Sequence, residues 1–381
     1  MRIAMFTNNY KPFVGGVPIS VEHLAEALRE RGHFVYVFAP SYKGQEEEEF
    51  VIRYPSFRWK VGGAPVPNVL TGLLRKKVEE LDIDVIHVHH PALVGNVALS
   101  IRRKLGIPVV FTYHTKYEEY LHYLCPVEIP MVTGLLRWNL HRFCDGCDYV
   151  FAPTPGIMHY LEEEAIKTPV SVVPTGLPEG NYYTEKTAVA ALRKNYLRGA
   201  DYLFCTVARL AKEKNLSFLL RGLSLLREEL KKDGKTFRHI FIGEGPLREE
   251  LPAEAECLGL ADTVEFLGNV PNGEVKNYLA ASELFLFASK SETQGIVLLE
   301  SMAVGTPVIA VKASGVCDIV NGKNGMLTEE REEVWAKAVK DSLADRGRYK
   351  NLCAGAKKTA ASYREREVAA AAENGYCRAI G

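Results

Sequence analysis

Two glutamates spaced eight residues apart stand on either side of a short polar turn in the carboxyl-terminal half of the chain. Glu292 and Glu300 belong to the segment SKSETQGIVLLESMAVGTPVIA. An ionised carboxylate only accepts hydrogen bonds, and its two oxygens suit the adjacent hydroxyls of a sugar or ribose ring. Because Glu300 lies within the apolar run IVLLESMAV, a carboxylate there would be costly without a partner. We therefore expect both glutamates to bind a ligand that is rich in hydroxyl groups.

The turn between the two glutamates also has the pattern of an anion site. The apolar run LFLFAS (284–289) predicts a buried strand, SETQG predicts a loop, and IVLLESMAV predicts a helix that ends before Gly305 and Pro307. A helix amino terminus offers unpaired N–H groups and the positive end of its dipole to a diphosphate. Gly295 keeps the approach to that terminus open. The segment therefore predicts a nucleotide-sugar site with a diphosphate between two sugar rings.

Alternating strands and helices are predicted in both halves of the chain. In the first half, strands are predicted at 2–8, 34–40, 85–91, 108–115 and 149–154, with helices at 19–32 and 93–106. In the second half, strands are predicted at 202–210, 238–245, 263–268, 284–289 and 308–311, with helices near 216–229, 273–281 and 296–304. This alternation predicts an α/β fold with two Rossmann-like domains built on parallel sheets.

The chain of 381 residues is long enough for two domains, since single cores rarely grow beyond ~250–300 residues. Proline and glycine cluster in PTGLPEGNYY (174–183), so we place the boundary there. The predicted domains are 1–177, which would bind the acceptor, and 178–364, which would bind the nucleotide sugar. The tail 365–381 is predicted to be a helix that could pack back on the first domain. Ligands are expected in a cleft between the two domains, beyond the strand carboxyl ends.

Several charged residues and glycines follow the predicted strands directly, where ligands of such sheets bind. They are Gly15 and Gly16 after the first strand, His114 at the end of PVVFTYHT, Arg209 at the end of YLFCTVAR, Lys214 in the next loop, and Glu244 in GEG. Arginine and lysine form charge-assisted hydrogen bonds with phosphate oxygens, which is a second argument for a diphosphate. Each residue alone has an ordinary alternative, such as a turn, a core histidine or a solvated charge. Their shared position at strand ends favours a binding site.

Composition and spacing exclude several other classes of protein. Lys plus Arg and Asp plus Glu are equal at 47 each, so nucleic acid is not an implied partner. The eight cysteines have no framework spacing, and the pair Cys144 and Cys147 has no second pair with which to bind zinc, so we interpret it as structural. No signal peptide is recognisable and no apolar run reaches the ~18 residues of a spanning helix. We expect a cytoplasmic protein that at most lies on a membrane surface.

A nicotinamide-dependent dehydrogenase and a metal site are also disfavoured by spacing. The first turn has only Gly15–Gly16 instead of Gly-x-Gly-x-x-Gly, and the second strand ends in FAPSY without the acid that binds ribose. Asp82 and Asp84 precede the strand VIHVHH, which places them at the opposite edge from the ligand site. They are predicted to be turn residues without a metal.

Motifs along nearly the whole chain resemble the family-four retaining glycosyltransferases of GT-B fold. The motifs are GGVPISVEHLAEALRERGH, HVHHP, TYHT, ARLAKEKN, GEGPLREEL, and E-x7-E followed by MAVGTPVIA. The resemblance implies that Glu292 binds the donor sugar and Glu300 the ribose, that Arg209 and Lys214 neutralise the diphosphate, and that His114 approaches the transferred sugar. It implies that the Gly295 amide and Gly15–Gly16 complete the diphosphate site and that neither a divalent metal nor a cofactor is needed.

An aromatic segment after TYHT indicates the acceptor. In KYEEYLHYL (116–124), the pattern YHT-x-YE-x-Y-x-HY resembles the bacterial diacylglycerol glucosyltransferases within this family. The predicted acceptor contacts are Tyr117, Glu118, Tyr120, His122 and Tyr123, although aromatic packing under a helix explains the same residues equally well. The segment 129–143 could touch a membrane through a stripe that contains Val132, Leu135, Leu136, Leu140 and Phe143, although such stripes more often face a core.

The leading hypothesis is transfer of glucose from UDP-glucose to diacylglycerol with retention of anomeric configuration. A GDP-mannose-dependent mannosyltransferase acting on a phospholipid or glycan is the alternative, and a non-catalytic nucleotide-sugar-binding protein is a remote third. His114 could instead act as a general base in an inverting attack. The base of the nucleotide is expected near Val270 in GNVPNG (268–273).

Overall fold

A computed structural model describes the chain except for residues 14, 44, 46, 62–63, 69–70 and 116–129. The chain divides into two compact units. The first comprises Met1–Gly176 together with Glu365–Gly381, and the second comprises Leu177–Arg364.

The first unit contains a parallel sheet and a small antiparallel strand pair. Its strands are β1 (Arg2–Phe6), β2 (Phe34–Pro40), β3 (Val51–Tyr54), β4 (Ser56–Val61), β5 (Ala64–Pro67), β6 (Val85–Val88), β7 (Val109–Thr112), β8 (Tyr149–Ala152) and β9 (Val170–Val172). Its helices are α1 (Gly16–Glu30), α2 (Thr71–Glu80), α3 (Val94–Leu105), α4 (Pro130–Cys144) and α5 (Pro155–Glu163). The main sheet has the order β3-β2-β1-β6-β7-β8-β9, and β4 pairs with β5.

The second unit is built on another parallel sheet. Its strands are β10 (Tyr202–Val207), β11 (Phe237–Ile242), β12 (Val264–Gly268), β13 (Leu284–Phe287), β14 (Val308–Val311) and β15 (Gly325–Thr328). Its helices are α6 (Lys186–Leu197), α7 (Leu216–Lys231), α8 (Glu250–Cys257), α9 (Asn272–Ala281), α10 (Ile296–Val304), α11 (Val316–Ile319), α12 (Glu332–Ala344) and α13 (Arg346–Ala361). The sheet order is β12-β11-β10-β13-β14-β15.

The central strands are buried along their whole length because helices cover both faces of each sheet. Every residue of β6, β7, β8, β13 and β14 is buried. The last helix, α14 (Glu365–Ile380), packs in the core of the first unit through Val368, Ala372 and Tyr376. Gly375 is required there, since a Cβ at this position would lie 2.3 Å from the Phe151 ring.

The predicted α/β architecture is confirmed, and the differences lie at strand ends and sheet edges. β6 ends at Val88 and β7 at Thr112, so His89 and His114 lie beyond the strands that were predicted to contain them. The edge strands β3, β9 and β15 and the pair β4–β5 were not predicted. Residues of β3 and β9 are mostly half-buried, so these strands lack the continuous apolar run that marks a central strand.

Candidate active site

Three loops meet at the carboxyl edge of the second sheet. β11, β10 and β13 are neighbours in that sheet, so the loops that follow them lie side by side. These loops carry Arg209 after β10, Glu244 after β11, and the turn 289–295 after β13. The sheet therefore brings together the residues that the sequence placed at separate strand ends.

Lys214 and Glu292 form an ion pair in this region. The Lys214 ammonium lies 2.5 Å from Glu292 Oε1 and 3.4 Å from the Ser289 hydroxyl. Lys214 ends a short 3-10 turn (Lys212–Lys214) whose backbone is held to the β13 loop, because the Lys290 amide donates to the Glu213 carbonyl at 3.0 Å. Only 18% and 15% of the two side chains are exposed, so the pair is largely withdrawn from water. The Lys214 ammonium, which could bind phosphate, and the Glu292 carboxylate, which could accept hydrogen bonds from hydroxyls, are thus held next to each other.

Glycines bring the loops after β10 and β11 into backbone contact. Gly243 has φ +135°, and a Cβ on it would lie 2.0 Å from the Ala208 carbonyl oxygen. A Cβ on Gly245 would lie 2.4 Å from the Leu210 carbonyl oxygen, and the Leu210 amide donates to the Glu244 carbonyl at 3.0 Å. Only glycine permits this approach, which fixes the backbones of Arg209 and Glu244 beside each other.

Arg209 and Glu244 both have exposed side chains. The Glu244 carboxylate lies 3.6 Å from Arg248, on its own loop. The Arg209 guanidinium forms no ion pair or hydrogen bond with any side chain that the structure describes. It therefore differs from Lys214 in being available to an anion without breaking a contact with a described side chain.

The amino terminus of α10 is open. Its N-cap residue Gly295 has φ +72°, a conformation that favours glycine, and no described side chain caps the helix. Gly315 packs under the same turn, where a Cβ would lie 2.5 Å from the Glu292 carbonyl oxygen. The amides of the first turn are thus directed toward the loop that contains Glu292, as an anion site requires.

Glu300 lies in the middle of α10 and is partly buried. Burial raises its pKa to about 7, while the Asn181 amide, which donates to Oε1 at 3.5 Å, acts in the opposite direction. Asn181 belongs to the 3-10 turn Glu179–Tyr182 and was not singled out in the sequence. A partly buried acid with a single long hydrogen bond is suited to gaining hydroxyl donors from a ligand.

The remaining residues that were predicted to bind the nucleotide-sugar donor lie in both units. Val270 lies two residues beyond β12, half-buried against the core of the second unit. In the first unit, Gly15 has extended backbone and Gly16 begins α1, whose amino terminus has no cap from a described side chain. A Cβ on Gly16 would meet no described atom within 4 Å.

His114 is partly buried just beyond β7. Its Nε2 lies 2.8 Å from Nδ1 of His89, which is fully buried beyond β6. Burial, together with the nearby His90 and His87, holds the pKa of His114 well below its usual range, so the ring is neutral. His89 was part of the recognised motif HVHHP but was given no role in the sequence analysis.

The predicted acceptor contacts Tyr117, Glu118, Tyr120, His122 and Tyr123 lie outside the described residues. The helix that follows them, α4, contains the residues of the predicted apolar stripe, and their exposure changes along the helix. Leu140 and Phe143 are buried in the core of the first unit, whereas Leu135 is exposed. Contact of the earlier part of the stripe with a membrane stays a prediction.

Asp82 and Asp84 bind Arg2 at the amino-terminal edge of the first sheet. The Arg2 guanidinium lies 2.8 Å from Asp82, and the Arg2 amide donates to Asp84 at 2.7 Å. Within the described ranges, no cluster of three or more His, Cys, Asp or Glu side chains could hold a metal ion. Cys144 and Cys147 are buried free thiols. No described helix has both the length and the apolar composition needed to cross a bilayer.

Comparisons with known proteins identify the family of this chain. The profile "Glycosyltransferase Family 4" matches residues 14–179, and "Glycosyl transferases group 1" matches residues 190–359. An alpha-monoglucosyldiacylglycerol synthase of Streptococcus pneumoniae is 31% identical over 81% of this chain and 71% of that enzyme. The chain belongs to glycosyltransferase family 4.

Two further comparisons place this family 4 glycosyltransferase among its relatives. A GDP-mannose-dependent alpha-mannosyltransferase of Corynebacterium glutamicum is 28% identical over 93% of this chain and 84% of that enzyme. The sucrose-phosphate synthase of Thermosynechococcus elongatus superposes with a TM-score of 0.80 at 19% identity, over 99% of this chain and 98% of that structure. The family 4 glycosyltransferase therefore has the GT-B fold, and the diacylglycerol glucosyltransferases are among its close relatives.

Proposed function

We propose that this glycosyltransferase transfers glucose from UDP-glucose to 1,2-diacylglycerol with retention of anomeric configuration and without a metal ion. The Lys214–Glu292 pair beside the open amino terminus of α10 is the observation that carries the proposal. The name of the streptococcal relative, a glucosyldiacylglycerol synthase, supports the choice of sugar and acceptor.

The leaving diphosphate is the group that the charges of the second unit suit best. As the glycosidic bond breaks, negative charge develops on the diphosphate, and fixed cations and amides aimed at it lower the barrier. Arg209, Lys214 and the first-turn amides of α10 supply that positive potential without a metal. We assign the open helix end at Gly15 and Gly16 to the same diphosphate.

The carboxylates bind the two sugar rings of the donor in this proposal. Glu292 accepts hydrogen bonds from hydroxyls of the transferred glucose, and Glu300 accepts them from the ribose. Lys214 must exchange part of its contact with Glu292 for phosphate, so donor binding rearranges an existing ion pair. Val270 and Glu244 contribute to the base side of the donor site, and His114 contacts the transferred glucose.

Retention implies attack on the same face from which the diphosphate leaves, with a phosphate oxygen accepting the acceptor's proton. The alternative is an inverting attack with His114 as general base. The anomeric configuration of the product distinguishes the two directly. An α-linked product from the α-linked donor supports retention, and a β-linked product would overturn it.

A lipid acceptor requires access to a membrane surface. The exposed Leu135 and Trp138 on α4 provide apolar contact, and Arg142 lies 5.5 Å from the Trp138 ring centre. On α2, the exposed Leu73 stands near a run of Arg75, Lys76 and Lys77. Apolar side chains beside cations suit an anionic membrane, and we propose peripheral attachment to the cytoplasmic face of the cell membrane.

The test is a panel of donors and acceptors presented to the full-length protein. UDP-glucose with diacylglycerol in phosphatidylglycerol-containing vesicles is expected to give glucosyldiacylglycerol, undiminished by EDTA. The matched variants are Glu292→Gln, expected to lower turnover by about 10²–10³-fold, and Asp341→Asn, which removes a carboxylate of a surface pair with Lys337 on α12 and should leave turnover unchanged. Full activity of Glu292→Gln would refute the assigned role.

GDP-mannose with a phospholipid or glycan acceptor forms the second arm of the panel. The 28% identity to the mannosyltransferase of Corynebacterium glutamicum favours including it. Release of GDP with mannosylated lipid, and no release of UDP, would replace the glucosyl assignment with this one. Binding of either nucleotide sugar without transfer to any acceptor would favour the non-catalytic alternative.

A further inference from the structure

Histidines follow two neighbouring strands of the first sheet. β6 and β7 pair in parallel with Val88 opposite Phe111, so the residues just beyond their ends are adjacent. His89 and His114 meet there with ring planes 24° from parallel and ring centres 5.1 Å apart. The facing nitrogens, Nδ1 of His89 and Nε2 of His114, are 2.8 Å apart. The proposed function uses His114 and assigns nothing to His89.

A neutral imidazole carries one N–H donor and one bare acceptor nitrogen. Both rings are neutral because burial is the main effect that holds the pKa of each well below its usual range. A hydrogen bond between the facing nitrogens therefore contains one proton, which belongs either to His89 or to His114. The position of that proton also decides which nitrogen of each ring carries the N–H.

The surroundings of His89 distinguish the two arrangements. Its Nε2 is buried and has no hydrogen-bond partner in the described structure. If His114 donated the proton, the N–H of His89 would have to sit on that Nε2 as a buried donor without an acceptor. Orphaned buried N–H groups are rarer in folded proteins than under-satisfied acceptors. The arrangement in which His89 donates leaves only an acceptor unsatisfied.

We propose that His89 is a positioning residue that donates its Nδ1–H to His114 Nε2 and thereby confines the His114 proton to Nδ1. His114 then presents an N–H donor, while its Nε2 lone pair is occupied by His89. If the proposed function holds, His114 acts on the transferred sugar as a hydrogen-bond donor to a hydroxyl oxygen and not as a general base. This consequence rests on the proposed function, whereas the proton position does not.

His90 serves as an internal reference with the opposite proton position. Its Nδ1 accepts a hydrogen bond from the Asn8 backbone amide at 3.1 Å. A backbone amide can only donate, so His90 must carry its own proton on Nε2. Two consecutive histidines, His89 and His90, are thus expected to be opposite tautomers.

Nitrogen NMR of the full-length, ¹⁵N-histidine-labelled protein at neutral pH tests the proposal without substrate. A protonated ring nitrogen resonates far upfield of a bare one, so each ring reports its tautomer. The expected result is Nδ1–H for His89 and His114 and Nε2–H for His90, with signals assigned from single variants. A His114 ring that carries its proton on Nε2, or that is charged, would overturn the proposal.

Two variants of His89 separate positioning from general packing. His89→Asn retains an N–H donor near the former Nδ1, and His114 should remain the Nδ1–H tautomer. His89→Leu removes the N–H donor, so the His114 signals should shift toward a mixture of tautomers. Its kcat should fall by about three- to tenfold, as expected for the loss of one hydrogen bond, with little change in KM for the nucleotide sugar. The asparagine variant should recover most of that loss.

Equal tautomer populations in the leucine and asparagine variants would refute positioning by His89. If His89→Leu does not fold, the tautomers of the unaltered protein and of His89→Asn still decide the matter. The NMR outcome is independent of the proposed function, because it is measured without donor or acceptor. A protein that fails to use UDP-glucose but shows the expected tautomers would leave the His89 assignment intact.

Discussion

The two units hold their candidate site residues in contrasting ways. In the second unit, Lys214 and Glu292 are charged and partly exposed, and they satisfy each other with a 2.5 Å ion pair. In the first unit, His89 and His114 are neutral and bound to each other by a single hydrogen bond. The charged pair keeps a small contact with water, with 18% and 15% of the two side chains exposed, whereas His89 is fully buried. Under the proposed function, the charged pair of the second unit suits the diphosphate and the neutral pair of the first unit suits a hydroxyl group.

The sharpest test within the charged region compares Lys214→Met with Arg209→Met. Both variants lose a cation for the diphosphate, so turnover should fall by about 10–100-fold in each. Only Lys214→Met leaves a largely buried carboxylate, Glu292, without its cation, and this variant should lose about 2 kcal/mol of unfolding free energy. Arg209→Met should keep its stability because the Arg209 side chain is exposed. Urea unfolding and turnover are measured on the same preparations, and equal stability of the two variants would contradict the structural role of the ion pair.

Glu300 gives the second test through its pH dependence. Its pKa is raised to about 7 by burial, so the folded protein binds a proton that the unfolded chain releases near pH 4.5. The resulting stability is fully present below that value and is lost as pH rises through about 7, by roughly 2 kcal/mol after allowance for partial exposure. Ribose hydroxyls favour the ionised form, so UDP affinity should increase over the same range.

Glu300→Gln is the matched control for that pH dependence. The variant should show a flatter stability profile between pH 5 and 8 and no increase in UDP affinity across that range. Chemical denaturation and calorimetric titration with UDP at several pH values measure both effects. An unchanged profile in the variant would show that the pH dependence comes from another group.

The smallest effect is expected at His239, which is buried in β11 with both ring nitrogens lacking hydrogen-bond partners in the described chain. Burial lowers its pKa to about 3, so it is neutral, and its ring packs 4.4 Å from that of Phe241. His239→Phe should leave turnover unchanged and alter the unfolding free energy by less than about 1 kcal/mol. His87→Phe is the contrasting variant. Because His87 forms hydrogen bonds with Thr112 and Tyr376, this variant should lose more unfolding free energy than His239→Phe. Equal effects of the two changes would remove the distinction between packed and hydrogen-bonded histidines.

Much of the architecture was predictable because each central strand is a short, continuous apolar run followed by a helix pattern. β7 and β13 are examples, and the polar residues predicted to bind ligand do follow these strands. The edge strand β9 was missed because its residues are only half-buried and show no distinct period. The end of β7 was placed three residues too late, since aromatic and β-branched residues continue into TYHT beyond the last ladder pair.

Pairwise contacts were not predictable from the sequence. Asn181 carries no motif, and its contact with Glu300 spans 119 residues of sequence. His89 was visible within HVHHP, but nothing in the sequence indicated that it would bind His114, since two histidines at strand ends are equally compatible with separate roles. The change in exposure along the stripe of α4 was not predictable, because periodicity does not tell which turns of a helix meet a core.

The sequence by itself determined the α/β alternation and the central strands of both units, and it predicted which residues would bind a diphosphate and two sugar rings. These features depend on patterns of apolar residues, glycines and charges that are local in the sequence. Only the tertiary structure decided that Lys214 neutralises Glu292, that burial raises the pKa of Glu300, and that His89 meets His114. Distances between side chains on neighbouring strands and the loss of water around them arise only when the sheets form, and no spacing along the chain encodes them.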